Sequence, residues 1–138
     1  MSREVAMEFA LRLPAPGSHL DCNGNLSSKF QCELAELAQL LNVTLLAQVV
    51  EHDTEANGSV VLFSTLVAIS SSKTIQAKYR KHHLYGSESM VFDQPQAGGS
   101  RLRLGALSTG LLICFDLMFP FPRDAYLAAA QSTRAAPG

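Results

Sequence analysis

Val43-Thr44-Leu45-Leu46-Ala47-Gln48-Val49-Val50 and, after a polar interval, Val60-Val61-Leu62-Phe63-Ser64-Thr65-Leu66-Val67-Ala68-Ile69 carry the reading of the fold. Both runs are rich in β-branched residues and nearly free of charge, the pattern of strands covered on both faces. Between them Asn57-Gly58 is a favoured turn pair. Ser70-Ser71-Ser72-Lys73 then turns the chain toward a third strand over Thr74–Tyr79.

Upstream, Phe30, Leu34, Leu37, Ala38 and Leu41 recur at helical spacing, with Ser28 and Gln31 placed as a capping box. Residues 1–26 read as an irregular segment, broken by Pro14, Pro16, Gly17 and Gly24. Downstream, 81–99 reads as a long loop, a length that often signals function. Leu102–Leu107 and Leu111–Cys114 read as short strands, and Pro122 opens a final Ala-rich helix over Ala125–Gln131. This order of elements predicts one mixed α/β layered domain over 27–138. Two clear helices are too few to cover such apolar strands, so an apolar sheet face is expected to stay open.

The chain has 138 residues, 47% hydrophobic and 17% charged, with a formal net charge of −1. That balance suits a globular core and supplies no long-range field for nucleic acid or an anionic membrane. No apolar run reaches the length of a membrane span. Met1-Ser2-Arg3-Glu4-Val5-Ala6 is charged and lacks the apolar stretch of a secretory signal. Even so, Asn25, Asn42 and Asn57 each begin an Asn-x-Ser/Thr triplet, as in glycosylated chains. Cys22 and Cys32 flank a loop short enough to close as a disulfide, the alternative being two buried thiols.

Cys114 ends the apolar run Leu111-Leu112-Ile113 and precedes Phe115-Asp116. A nucleophile at such a strand-to-turn junction has free backbone N–H groups beside it for an oxyanion. Most free cysteines are instead small core residues. Lys81, within Tyr79-Arg80-Lys81-His82-His83-Leu84-Tyr85, offers a cation that favours thiolate and stabilises a tetrahedral oxyanion. His82-His83 has no companion ligand spacing for a metal.

Tyr79-Arg80-Lys81-x-His83-Leu84-Tyr85 and Gly110-x-x-x-Cys114-Phe115-Asp116 resemble the lysine and cysteine motifs of the nitrilase (carbon–nitrogen hydrolase) superfamily. They are most similar to its biotinidase and vanin (pantetheinase) branch. Glu88 falls where that branch carries a second glutamate, and Phe63-Ser64-Thr65 is similar to its Tyr/Phe-Asn-Thr, with serine for asparagine. The resemblance runs from about Ser28 to Phe119. It implies a partial αββα sandwich lacking the first strand–helix unit and the C-terminal strands. It also implies cysteine-dependent hydrolysis of linear amides, pantetheine-like or biotin-amide-like, through a thioester, with no cofactor and no metal.

Carried onto this chain, Cys114 is the nucleophile, Lys81 and the Phe115 N–H hold the oxyanion, and Glu88 is a supporting carboxylate. The resemblance also implies an extracellular or membrane-associated, glycosylated protein. The triad glutamate has no counterpart: Glu4 and Glu8 precede the irregular segment, and neither follows a proline. A missing acid/base lowers rates by roughly 10²- to 10⁴-fold, so weak or no activity is expected. Two other readings stand beside it. One is a non-catalytic, truncated relative that associates with itself or a full-length relative through its open sheet. The other is a redox or metal-binding thiol protein using Cys22, Cys32 and Cys114.

Overall fold

A computed structural model of the chain describes residues 2–22, 29–96, 101–104 and 107–134. Its centre is a three-stranded antiparallel sheet in the order β1 (Leu45–Thr54), β2 (Val60–Ile69), β3 (Ile75–Arg80). One face of this sheet is covered by helix α2 (Lys29–Leu41), and the other meets the hairpin of β4 (Arg101–Leu104) and β5 (Leu107–Gly110). Helix α3 (Pro120–Arg134) packs outside β5, so helix, sheet, sheet and helix are stacked in that order. This is the mixed α/β layering expected from the sequence.

Side-chain alternation along β2 builds the two cores. Val67 and Ile69 join Val49, Ile75, Ala35 and Ala38 beneath α2, whereas Ala68 joins Ala77, Tyr79, Leu102, Leu111 and Ile113 beneath the hairpin. A register shift at Ala68/Ile69 lets Ile75 face the helix while Ala77 and Tyr79 face the hairpin. Gly110 faces the ring of Tyr126 on α3, and a Cβ there would run into that ring. A glycine is therefore what lets α3 lie directly on β5.

Several expectations are corrected. Within the segment expected to be irregular, Arg3–Glu8 forms a helix, α1, capped by the Ser2 hydroxyl. It is too short to be stable alone and is anchored from outside. Ala6 is buried with Leu62 and Val91, and Arg3 donates to Val91 O at 2.7 Å and pairs with Asp93 at 2.8 Å. Leu13 and Leu20 of the same segment enter the core under α2, and Leu11 bridges to Glu51.

Of the expected α2 stripe, Ala38 is buried and Leu34 packs partly buried on the core, but Gln31 and Ala35 complete the buried side in place of Phe30, Leu37 and Leu41. Phe30, Leu37 and Leu41 are 48%, 42% and 58% exposed, because alanines allow the closer approach to the sheet. Gln31 Nε2 donates to Arg12 O at 2.9 Å, and its expected cap partner Ser28 lies outside the described residues. The helix ends on Asn42 at φ 52°, with Val43 N donating to Ala38 O and Asn42 N to Gln39 O. That is the paired carbonyl closure of a left-handed C-terminal cap.

β1 does not stop at Val50 but continues through Thr54, paired with β2 down to Val60. The hairpin is shifted toward the N-terminus relative to the expected strands: β5 ends at Gly110, and Leu111–Ile113 leave the ladder. Leu111 and Ile113 are still buried, which is why the apolar run reads as a strand. α3 starts earlier than expected, and Phe121 (φ −95°, ψ 136°) interrupts helical geometry just before Pro122.

Candidate active site

β3 delivers Lys81 to the hairpin face. Tyr79 points to that face, and the Lys81 N–H extends the ladder by donating to Ser64 O at 2.9 Å. Ser64 Oγ in turn accepts from Gln48 Nε2 at 3.0 Å, and Thr65, on the other face, donates to Glu51. Lys81 is 2% exposed. An ammonium at such burial needs a fixed anionic partner.

Glu88 supplies it. Its two oxygens accept from Lys81 Nζ at 2.9 and 2.6 Å, and Oε2 also accepts from the Tyr85 N–H at 2.7 Å. The carboxyl sits on a 3₁₀ turn, Gly86–Met90, within the long 81–99 segment. Burial pushes the Glu88 carboxyl up, but the Lys81 hydrogen bonds, the Tyr85 N–H and the Lys81 charge together hold it below the ordinary glutamate range.

Cys114 opens a second 3₁₀ turn, Cys114–Met118, in a left-handed backbone conformation (φ 48°). A non-glycine residue at such φ is sterically costly and concentrates at functional sites. The thiol is exposed and free, because Cys22 and Cys32 are joined in a disulfide with Cα atoms 5.5 Å apart. Phe115 is the first residue after it, and a first-turn N–H has no partner within its own turn. Such an N–H, directly after the thiol in the chain, is suited to an oxyanion.

The lysine segment and the cysteine turn are fastened together. Asp116, fully buried, accepts from Tyr79 Oη and from the His83 N–H, both at 2.8 Å. Around this clasp, His83 stacks on Phe119 at 3.9 Å between centroids, and Tyr85 meets the Phe115 ring edge-on at 4.9 Å. Burial, and then Asp116, push the Tyr79 hydroxyl far above the ordinary tyrosine range, so it stays a donor. His82 and His83 diverge: His82 Nδ1 meets Arg80 O, and His83 Nε2 meets Phe121 O.

The opposite face of the sheet carries a different polar cluster, which the sequence did not announce. Glu51, 1% exposed, accepts from Lys78 at 2.6 Å, from Arg80 at 2.8 and 2.9 Å, and from Thr65 at 2.7 Å. A cleft of about 500 Å³ opens there, lined by Phe63, Lys78, Arg80 and Gln94. It lies on the far face from Lys81, and its cations are engaged by Glu51 and Asp53. Glu51 is therefore a structural carboxylate. The signal that could have found it is the pairing of acidic Glu51 and Asp53, next to the β-branched run, with basic Lys78 and Arg80 at the same i, i+2 spacing.

Of the triplet asparagines, Asn42 and Asn57 are exposed, and Asn25 lies outside the described residues. A model of the carbon–nitrogen hydrolase family matches residues 12–133. Over 87 residues the chain is 32% identical to a nitrilase of Pyrococcus abyssi, covering 63% of this chain and 31% of that relative. The chain thus spans about a third of the relative it matches.

Proposed function

Because this chain belongs to the carbon–nitrogen hydrolase family, we propose that it uses Cys114 to attack the carbonyl carbon of a linear amide. The sulfur adds to carbon, and the oxyanion is held by Lys81 Nζ and the Phe115 N–H. The C–N bond breaks, the amine leaves carrying the proton that the thiol gave up, and a thioester remains on Cys114. Water then adds to the thioester, releasing the acid and restoring the thiol. Glu88 keeps the Lys81 ammonium in place, and its hydrogen bonds to that amine leave it poorly suited to carry protons.

One observation carries this reading: a buried ammonium, gripped by both oxygens of Glu88, in a segment tied by Asp116 to the turn of an exposed thiol. The vanin and biotinidase resemblance of the Lys81 and Cys114 motifs favours pantetheine-like or biotin-amide-like substrates. It also favours an extracellular setting, with Asn42 and Asn57 as exposed sugar acceptors.

Among the described residues, Glu4 and Glu8 of α1 make no hydrogen bond to Lys81 or Cys114, and a site without a positioned base deacylates slowly. An activated ester such as p-nitrophenyl acetate is expected to leave one acetyl group on Cys114, with a burst of nitrophenolate and little steady turnover. Pantetheine and biotinyl amides are expected to turn over roughly 10²- to 10⁴-fold more slowly than with a positioned base. Intact mass before and after Cys114→Ser checks the adduct. No acetyl on Cys114 would overturn the nucleophile, and rapid amide hydrolysis lost in Cys114→Ser would overturn the slow turnover.

A second, non-catalytic reading draws on the outer strand β1. Phe9 is 67% and Leu46 50% exposed, and Phe9, Phe30, Val49 and Val50 line an open groove of about 540 Å³. Exposed apolar side chains along a sheet edge favour association with a second copy or a relative. Light scattering at micromolar concentration is expected to give a dimer or larger species, and a clean monomer removes this reading.

A further inference from the structure

Asp116 receives three hydrogen bonds from three places that matter to the same reaction. Oδ1 accepts from the His83 N–H at 2.8 Å, and Oδ2 accepts from Tyr79 Oη at 2.8 Å and the Ile113 N–H at 3.2 Å. Tyr79 and His83 flank Lys81 on either side, so the carboxylate pins both ends of the short span that carries the ammonium. Ile113 directly precedes Cys114, whose φ of 48° must be held against its own steric preference. The Asp116 N–H donates back to Ile113 O at 3.1 Å, closing the turn around the thiol.

The two turns of the site share one device. In each, a carboxylate at the third turn position accepts the N–H of the residue before the turn: Glu88 from Tyr85, Asp116 from Ile113. Each carboxylate then reaches the lysine segment. Glu88 takes the Lys81 amine, and Asp116 takes the backbone and side chain on either side of it.

We propose that Asp116 is the positioning residue of this site, acting through Tyr79, His83 and Ile113 to aim the Lys81 ammonium and the Cys114 thiol at one carbonyl. The inference rests on the reading of Cys114 as nucleophile. It goes further by assigning the register between thiol and oxyanion donor to a group that touches neither substrate nor sulfur.

The test compares two reactions of the same thiol in the whole chain. Acylation by p-nitrophenyl acetate develops an oxyanion and needs the donors in place, whereas alkylation by iodoacetamide needs only an exposed sulfur. With Cys22 and Cys32 bridged, Cys114 is the free thiol, and subtracting the reaction of Cys114→Ser isolates it in both cases. Asp116→Asn, which keeps the shape and removes one acceptor, is expected to slow acylation roughly tenfold or more, the effect of a lost charge-assisted hydrogen bond. Alkylation should stay within about threefold, since acceptor loss leaves the sulfur exposed.

Tyr79→Phe, which removes a single hydroxyl, should slow acylation by a smaller factor in the same selective way. It decides the matter if Asp116→Asn fails to fold. Equal losses in both reactions would reduce Asp116 to a structural residue, and unchanged acylation in folded variants would overturn the inference alone. If the native chain is not acylated at Cys114, the nucleophile reading falls first and this inference falls with it.

Discussion

Glu51→Ala is expected to destabilise the fold by roughly 3–5 kcal/mol, the usual consequence of removing one partner from a buried ion cluster. The carboxylate is 1% exposed and receives Lys78, Arg80 and Thr65 at 2.6–2.9 Å. Without it, Lys78 and Arg80, themselves only 17% and 24% exposed, lose their shared counter-charge, although Arg80 keeps its ion pair with Asp53. The damage is central, because these cations lie on β3, the strand that delivers Lys81. Urea denaturation followed by circular dichroism measures the loss, and a change under 1 kcal/mol would show the cluster to be superficial.

The pH dependence has a definite sign. Burial pushes the Glu51 carboxyl up, but hydrogen bonds from Arg80, Lys78 and Thr65 and the Lys78 charge outweigh it and hold it below the ordinary range. A lowered folded value means that the contribution is complete above the unfolded glutamate pKa of about 4.3. It is lost as pH falls through the lower folded value. The gap between native and Glu51→Ala stability should therefore be widest near neutrality and close in acid. A gap that widened below pH 4 would contradict the assignment.

The sequence announced the central strands, the main helix and the lysine and cysteine motifs, since each depends on local spacing. Where it misled, long-range partners decided. Glu51-His52-Asp53 reads as the start of a loop, yet stays in β1 because Arg80 and Lys78 neutralise its carboxylates across the sheet. Arg3–Glu8 reads as frayed chain, yet is helical because Val91 and Asp93 hold its arginine from far along the sequence. Leu111–Ile113 is an apolar run that reads as a buried strand, but β5 ends at Gly110 and the run leads into the left-handed backbone of Cys114. Asp116 is part of a recognisable motif, but its role depends on Tyr79 and His83, which no local pattern links to it.

Lys81→Met is expected to slow acylation of Cys114 by roughly 10²- to 10³-fold, the usual effect of losing one oxyanion donor. Iodoacetamide alkylation of the same exposed thiol should change far less, because that displacement develops no oxyanion. The fold should survive with a loss of about 1 kcal/mol, since Glu88 is 33% exposed and can turn to water once its partner is gone. Lys81→Arg should not restore acylation. A planar guanidinium carries its donors in a wider fork than the ammonium, and it would have to fit where Lys81 is 2% exposed. Removing the ammonium also deprives Glu88 of the hydrogen bonds and charge that hold its carboxyl low, leaving burial opposed mainly by the Tyr85 N–H. Its ionisation, followed by carboxylate infrared bands or side-chain NMR, should then move upward from the native value. Acylation at the native rate in a folded Lys81→Met variant would remove the lysine from the chemistry and leave its pair with Glu88 as a structural contact.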